Sequence, residues 1–235
     1  MARAFLALFL LCTFATAGVI DGQVRFGGVA PKAEAISVDR DPVCSKVFPG
    51  GVATEATVVV DSDGGLANAF VVLTSGIDFR SVPRPPTAPV ALDQKDCRFL
   101  PRVVGVRAGQ RLRVGNGDGT LHNVRAKATK NAPFNIGLAP GKHLERIFTV
   151  AERMVQLHCH VHHWMTAWVG VIEHPYFAVT DAQGRFRIDN VPPGSYGVEV
   201  WHETLGTKQL AAIVDRRGVM EPLRFLYGSE PRRAR

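Results

Sequence analysis

The sequence predicts an all-β protein of the sandwich type. Short runs rich in β-branched and aromatic residues alternate with clusters of glycine, proline, aspartate and asparagine along nearly the whole chain. No stretch repeats its apolar residues with the 3.6-residue period of a helix. Many short strands with regular turn signals are typical of a β-sandwich or barrel. With 235 residues, the chain is long enough for one large β domain or two small ones.

The first residues predict a secretory signal peptide. Arg3 gives a positive start, residues 5–14 are apolar, and Ala15-Thr16-Ala17 is a small-residue cleavage site. We therefore expect residues 1–17 to be removed and the mature protein to be periplasmic or secreted. An uncleaved anchor helix is the alternative, but the apolar run is short for one. No later segment is long and apolar enough to span a membrane, so we expect no transmembrane segment in the mature chain.

The strands follow one another in two groups. Before the proline-rich loop at 81–89, strands are predicted at 22–28, 57–61 and 69–74. After that loop, strands are predicted at 102–106, 110–114, 121–126, 144–150, 154–159 and 168–172. Residues 127–142 contain Pro133, Pro140 and two glycines, and predict a loop. From Phe177 onward a hairpin at 179–188 and a strand at 197–201 are predicted.

Charge argues against a nucleic-acid partner. The formal net charge of +7 falls to +6 when Arg3 is removed with the signal peptide. The basic residues are scattered, apart from a short cluster at the end of the chain, and no basic patch interleaves with aromatic residues.

The cysteines predict one disulfide and one free thiol. Cys12 lies in the signal peptide, which leaves three cysteines in the mature chain. An odd number in an exported protein requires one unpaired or metal-bound thiol. Cys44 and Cys97 lie in turn-rich, polar surroundings, and we predict a bridge between them. Cys159 then remains as the free thiol.

A dense set of soft metal ligands surrounds Cys159. The segment His158-Cys-His-Val-His-His-Trp-Met165 contains four of the eight histidines, and His122 follows a tight turn upstream. Thiolate, imidazole and thioether together favour copper over calcium or magnesium. Zinc would accept the cysteine and histidines, but Met165 is a poor zinc ligand. Loose surface binding by a histidine-rich tract is the least specific alternative.

Residues 90–172 resemble the cupredoxin family. The resemblance rests on Asn116, Asp118 and His122-Asn123-Val124, followed by Cys159, Val161, His162, Trp164 and Met165. This segment is similar in particular to exported bacterial cupredoxin-like proteins, which usually have proline at the position of His163. It implies a Greek-key sandwich holding one copper ion, with His122, Cys159, His162 and axial Met165 as ligands.

Two copper alternatives fit less well. The binuclear copper site of oxidase subunits has a second cysteine four residues before the first, where this chain has Val155. His158-Cys159-His160 is similar to a motif of multicopper oxidases, but those proteins need further His-x-His pairs. We expect His158 and His160 to point away from Cys159, because neighbours on a strand face opposite sides.

The flanks of this segment resemble a second family. Residues 180–186 and 191–196 are similar to the carboxypeptidase regulatory-like domain, a small transthyretin-like sandwich, and residues 22–28 and 66–73 look like its first strands. Our hypothesis is a discontinuous sandwich into which the cupredoxin-like segment is inserted; two consecutive domains are the simpler alternative. The predicted segments are a signal peptide, an N-terminal β segment, a copper domain, a second sandwich and a basic tail, at 1–17, 18–89, 90–173, 174–225 and 226–235.

These observations predict an exported mononuclear copper protein that transfers single electrons to an unknown redox partner protein. We expect no enzymatic activity. A periplasmic copper carrier or scavenger is the first alternative, and a structural or adhesive β-sandwich protein with a weak metal site is the second. His143, His174 and His202 are scattered singly, so we expect hydrogen-bonding roles rather than a second metal site.

Overall fold

The computed structural model describes residues 17–38 and 41–228. The predicted signal peptide lies outside these residues, apart from Ala17. Strands make up nearly all of the regular secondary structure of the described chain, which confirms the all-β fold class. The strands are β1 Gly18–Gly27, β2 Glu34–Ser37, β3 Val52–Glu55, β4 Phe70–Ser75, β5 Val90–Lys95, β6 Arg98–Leu100, β7 Val103–Arg107, β8 Arg111–Asn116, β9 His122–Lys127, β10 Phe134–Leu138, β11 His143–Ile147, β12 Glu152–His158, β13 Thr166–Ile172, β14 Phe177–Val179, β15 Arg185–Val191, β16 Gly194–His202, β17 Gly206–Val214 and β18 Leu223–Gly228.

Helical structure is confined to single turns. The α-helix α1 spans Cys44–Val47, and 3-10 turns span Pro49–Gly51 and Phe79–Ser81. Among the described residues, no helix has the length and apolar character needed to cross a membrane.

The first sandwich is made mainly from the middle of the chain. Its two sheets have the strand orders β10-β9-β12-β13-β7 and β11-β8-β5-β6. Alternate residues of β8 and β12 face the space between the sheets, where Leu112, Val114, Val155 and Leu157 are buried. This alternation is what a strand with one buried face requires. Cys159 belongs to the same core, so the candidate ligands lie at one end of a packed apolar interior.

The second sandwich joins strands from both ends of the described chain. Its sheets have the orders β15-β1-β18 and β14-β4-β16-β17. β1 pairs antiparallel with β15 and parallel with β18, and β4 lies between β14 and β16. The second sandwich is therefore discontinuous in sequence, and β5–β13 lie between its strands. The exact domain boundaries stay a prediction, although β18 runs to Gly228, past the start predicted for the basic tail.

Two glycines allow the sandwiches to pack closely. Gly105 of β7 and Gly170 of β13 are paired residues of neighbouring strands. A Cβ atom at Gly105 would lie 2.2 Å from the Phe177 ring, and one at Gly170 would lie 2.5 Å from the Phe70 ring. The Phe70 and Phe177 rings stack with centroids 5.7 Å apart. The absent side chains thus make room for two aromatic rings of the second sandwich.

A segment from the N-terminal part of the chain packs on the first sandwich. We call residues 41–55, which include α1 and β3, the strap. Its Cys44, Phe48 and Ala53 are buried in the first core. A disulfide joins Cys44 to Cys97, in the turn between β5 and β6, which confirms the predicted pairing. Cys159 is the free cysteine of the described chain and is buried.

Two local predictions were wrong. Residues 127–142, predicted as a loop, contain β10, which pairs with β9 from Phe134 to Leu138. Pro133 and Pro140 lie just outside this edge strand, where a missing N–H donor costs no ladder bond. Residues 57–61 form no strand; Val60 makes only an isolated bridge with Leu66.

Candidate metal centre

The structure brings together three of the four predicted ligands. One ligand atom from each of His122, Cys159 and His162 lies within 4.8 Å of the others. All three residues are buried, with relative exposures of 0 %, 0 % and 2 %. His122 begins β9, whereas Cys159 and His162 belong to the loop between β12 and β13. The cluster therefore joins two neighbouring strands of one sheet at their common end.

The loop is fixed by its own backbone bonds. The Cys159 N–H donates to the Met165 carbonyl, and the Met165 N–H donates to the His162 carbonyl. Trp164 Nε1 donates to the Cys97 carbonyl at 3.0 Å, which attaches the loop to the disulfide-bearing turn. Met165 is 1 % exposed and belongs to the same buried core as Cys159. Its role as axial ligand stays a prediction.

The two histidines face each other through their Nδ1 atoms, which lie 2.8 Å apart. Each Nε2 atom faces a carboxylate: His122 Nε2 lies 2.8 Å from Asp118 Oδ2, and His162 Nε2 lies 3.0 Å from Asp41 Oδ2. An ionised carboxylate only accepts hydrogen bonds, so each Nε2 carries the proton. Both Nδ1 atoms therefore point into the cluster, where each can donate a proton to the Cys159 sulfur or, without that proton, offer its lone pair to a cation.

Asp41 is held in place by the strap and by Thr120, in the turn before β9. Its Oδ1 accepts the N–H groups of Val43 and Cys44, both at 2.8 Å. Its Oδ2 accepts the Thr120 hydroxyl at 2.9 Å in addition to facing His162. Burial raises the pKa of Asp41, but these hydrogen bonds outweigh it and lower the pKa to about 2. Asp41 is therefore ionised throughout the physiological range.

Asp118 plays the same part for His122. Its carboxylate accepts the N–H groups of Asp96 and Cys97 at 2.8 and 2.9 Å. The Asn116 side-chain oxygen accepts the Asp118 N–H, and the Asn116 amide donates to the Thr120 and Leu138 carbonyls. The tight turn before His122 is thus anchored on both sides, which fixes the direction of the imidazole.

The Cys159 thiol lies in an environment that favours the thiolate. Burial raises its pKa, but hydrogen bonds from His122 and His162 and from the backbone N–H groups of Asn123 and His162 lower the pKa to about 6. Those N–H groups lie 3.5 and 3.3 Å from the sulfur. Burial lowers the pKa of His162, but the hydrogen bonds with Cys159 and Asp41 raise the pKa by a larger amount, so that the net shift is upward.

The donor set fits a soft or borderline metal cation. The two Nδ1 atoms lie only 2.8 Å apart. Their lone pairs repel each other unless a proton or a cation is bound at these atoms. A thiolate and two neutral imidazoles are ligands that copper and zinc accept, and calcium and magnesium do not prefer. Each imidazole also has the carboxylate partner that orients metal-bound histidines. The site therefore suits copper or zinc on the chemistry of its own atoms.

The other histidines of the loop point elsewhere. His160 is exposed, and its Nε2 accepts a bond from Arg125 Nη1 at 3.0 Å. His158 Nδ1 lies 3.4 Å from the Thr166 hydroxyl. Burial lowers the pKa of His158, and the positive charge of the nearby Lys127 lowers it further. His163 is exposed and packs edge-on against Trp164. In the part of the chain that the structure describes, the groups able to hold a metal include none of these three residues.

The three remaining histidines, His143, His174 and His202, are also separate from the cluster. His143 is exposed on β11, 3.4 Å from an Arg113 nitrogen. His174 is buried, and its Nδ1 accepts the Tyr176 N–H. His202 is buried and accepts the Thr204 N–H through Nδ1.

Asp41 is the residue that sequence reasoning missed. It lies 121 residues before His162, and no motif links the two. Its position three residues before Cys44 was the available signal, because the predicted bridge to Cys97 brings that segment towards the turn beside Asp118. Asp118 itself was part of the pattern that resembles the cupredoxins.

Comparison with known proteins gives partial likenesses to cupredoxin structures. No protein-family model matches the chain, and neither does any curated protein. A copper-containing nitrite reductase from Thermus scotoductus is 19 % identical over 38 % of this chain and 25 % of its own, with a TM-score of 0.35. A purple cupredoxin from Nitrosopumilus maritimus is 18 % identical over 34 % of this chain and 97 % of its own, with a TM-score of 0.30. A variant of amicyanin is 20 % identical over 39 % and 96 %, with a TM-score of 0.33.

These likenesses cover only part of this chain. The chain spans only a quarter of the length of the nitrite reductase. The match to the purple cupredoxin covers about a third of this chain. Identities and TM-scores of this size carry no functional conclusion.

Proposed function

We propose that this chain is an exported copper protein that transfers single electrons. One copper ion would be held by His122 Nδ1, His162 Nδ1 and the Cys159 thiolate, with Met165 as a fourth ligand. The observation that supports this most strongly is the buried convergence of one thiol and two imidazoles whose outer nitrogens are both fixed by carboxylates. Copper would supply a couple that changes by one electron.

The surrounding residues suit electron transfer because they leave the ligands little freedom. His122 and His162 are each held at Nε2, and the Cys159 sulfur accepts two backbone N–H bonds. The loop is closed by bonds between Cys159, Met165 and His162. A ligand set that is already fixed before the metal changes oxidation state needs little rearrangement on each transfer. The deep burial of the ligands also opposes rapid metal exchange, which a copper carrier would need.

The test is copper titration of the purified mature protein, followed by optical and EPR spectroscopy. We expect one Cu(II) per chain, an intense visible thiolate charge-transfer band, and reversible reduction with the copper retained. Cys159→Ser should abolish the band, whereas His143→Ala, which changes an exposed histidine on β11, should leave it intact. A colourless wild type, zinc bound in preference under matched free-metal concentrations, or rapid loss of copper to a weak chelator would contradict electron transfer.

Export is part of the proposal. The predicted signal peptide supports it, as does the Cys44–Cys97 disulfide, because such bridges persist in oxidising compartments. We further propose that the second sandwich is the regulatory-like, transthyretin-like unit that its turn sequences resemble. Expression of the full chain in a bacterium with a periplasm should yield a protein that begins at Gly18 in the periplasmic fraction. An intact N-terminus in the cytoplasmic fraction would contradict export.

A further inference from the structure

The outer edges of both candidate ligand rings are closed. His162 is 2 % exposed, and its Nε2 faces Asp41 of the strap. His122 is 0 % exposed, and its Nε2 faces Asp118. The Nε2 edges of both rings are therefore occupied by carboxylates of this chain and are not free to bind a partner protein. Electrons that reach this cluster need another short path to the surface.

Cys159 offers such a path through its own chain neighbours. His158, which ends β12, is half-buried, and His160 is exposed. Both are one peptide bond away from the buried cysteine. Because neighbouring residues on an extended chain face opposite sides, a buried Cys159 directs these two side chains outward. The Asn123 side chain accepts the His160 and Val161 N–H groups, so the exit from the cluster is held in place.

The surface around this exit is basic. Arg125 of β9 is paired across the ladder with His158, and Lys127 is paired with Gln156. Arg125 and Lys127 are both exposed. Arg125 donates to His160, and Lys127 donates to the Gln156 amide oxygen at 2.9 Å. Among the described residues, no carboxylate forms an ion pair with either cation, although many other exposed arginines of the chain have one.

Cations aligned without acids repel each other on a sheet face. The same arrangement attracts an acidic surface and accelerates its encounter. We propose that the outward face of β9 and β12 around Arg125, Lys127, His158 and His160, which we call the basic face, is the docking surface for an acidic redox partner protein. The proposal rests on the proposed electron-transfer function. It assigns electron passage to the Cys159 side of the cluster rather than to the His162 edge.

The first test needs no metal in the protein. Hexacyanochromate(III) is a redox-inert, paramagnetic trianion, and it broadens the amide resonances of the surface on which it dwells. In spectra of the metal-free protein at low ionic strength, we expect selective broadening at residues 125, 127, 158 and 160. The variant Arg125→Gln/Lys127→Gln should lose it. The matched control Arg216→Gln/Arg224→Gln removes the same charge from exposed positions of the second sandwich and should retain it. Uniform broadening, or broadening centred elsewhere, would overturn the basic face as an anion-docking surface.

The second test measures electron exchange of the copper-loaded protein. At low ionic strength, the basic-face variant should react with ferricyanide about 3- to 10-fold more slowly than the wild type, because electrostatic steering of this size is removed. The difference should vanish at high salt. With the cationic oxidant tris(phenanthroline)cobalt(III), the variant should react as fast as or faster than the wild type, and the control variant should follow the wild type in both cases.

The two proposals fail in different ways. Copper-dependent electron exchange at equal rates in the basic-face variant and the control overturns the docking surface alone. A wild type that binds copper but exchanges electrons with neither oxidant overturns the electron-transfer function, and the docking surface with it.

Discussion

The two sandwiches bury histidines in opposite ways. In the first sandwich, His122 and His162 have a partner on each ring nitrogen, and both outer partners are carboxylates fixed by backbone N–H groups. In the second, His202 is 1 % exposed, its Nδ1 accepts the Thr204 N–H, and its Nε2 has no hydrogen-bond partner within the described chain. Burial lowers the pKa of His202, so the ring is buried as a neutral group.

The difference teaches how burial relates to function. A polar atom buried without a partner costs about 1–3 kcal/mol, and a single neutral ring keeps that cost small. A set of thiol, imidazoles and carboxylates costs far more to bury, unless every member is satisfied by another. The first sandwich has such a set at one end. There, each buried polar side chain has several hydrogen-bond partners, and this distinguishes the candidate site from the surroundings of His202. The following experiments can break or sharpen this contrast.

The disulfide should give the largest effect, because it ties the strap to the first sandwich. Cys44→Ser/Cys97→Ser should lower the free energy of unfolding by about 4 kcal/mol for a sequence separation of 53 residues. Urea denaturation of the metal-free protein measures it. Thiol titration of denatured, unreduced wild type should find one free thiol; three would contradict the bridge. A loss well below 1 kcal/mol would mean that apolar packing of the strap is sufficient.

The carboxylates should come next. Asp41→Asn leaves the shape of the side chain nearly unchanged but removes the charge that holds the His162 tautomer, and we expect about a 10- to 100-fold loss of copper affinity. Competition with a copper chelator measures it. Asp189→Asn, at an exposed ion pair with Arg187 in the second sandwich, is the matched control and should not change the affinity. Equal affinities for both variants would remove Asp41 from the metal centre.

Glu152 tests whether the number of hydrogen bonds to a buried carboxylate predicts its contribution to protein stability outside the candidate site. Its carboxylate accepts bonds from the Thr129 N–H and hydroxyl and from Lys130 and Asn131. Burial raises its pKa, but the bonds from Thr129 and Asn131 outweigh burial and lower the pKa from 4.5 to about 2. Glu152→Gln should therefore cost about 2 kcal/mol at pH 7. The wild-type advantage is complete above the unfolded-state value of 4.5 and should be lost as the pH falls through about 2. Acid unfolding curves that coincide for variant and wild type from pH 7 down to pH 4 would contradict this.

Proton competition should weaken metal binding. The Cys159 thiolate prevails above its pKa of about 6, and below that pH a proton must be displaced before copper binds. Copper affinity should fall by roughly tenfold for each pH unit below 6, because at least one proton is released on binding. Isothermal titrations in two buffers of different ionisation enthalpy would count the protons. A flat affinity between pH 6 and pH 4.5 would exclude the thiolate as a ligand.

His202 should give the smallest effect. His202→Phe removes an unpartnered nitrogen together with one accepted bond, so we expect a change in unfolding free energy below about 1 kcal/mol. The copper spectrum should not change. The matched substitution His122→Phe should abolish normal metal binding. A lost spectrum in a folded His202→Phe protein would bring the second sandwich into the site and end the contrast.

The sequence revealed the parts of this structure that depend on local spacing. Cys159 and His162 lie three residues apart in one loop, so a motif can identify them. The Cys44–Cys97 pairing was predicted from the turn-rich, polar surroundings of both cysteines, and the odd number of thiols then left Cys159 unpaired. Asp41 could not be found in the same way, because its role depends on a contact across 121 residues and its own neighbours are ordinary turn residues.

Strand β10 was hidden for a different reason. Its residues from Phe134 to Leu138 contain an internal glycine and lie between two prolines, a composition typical of loops. The strand forms because Phe134, Ile136 and Leu138 pack against the first core and because β9 supplies hydrogen-bond partners. Tertiary packing outweighs local preference at such an edge strand.

The discontinuity of the second sandwich sets an order of assembly. β1 forms its ladders with β15 and β18, and β4 lies between β14 and β16. During vectorial synthesis, these early strands emerge long before their partners and expose unpaired edges in the meantime. Strands β5–β13, in contrast, find all their sheet partners among one another. Loop-closure entropy favours such nearer pairings, so the first sandwich can close first and serve as the template on which the earlier and later strands of the second sandwich meet.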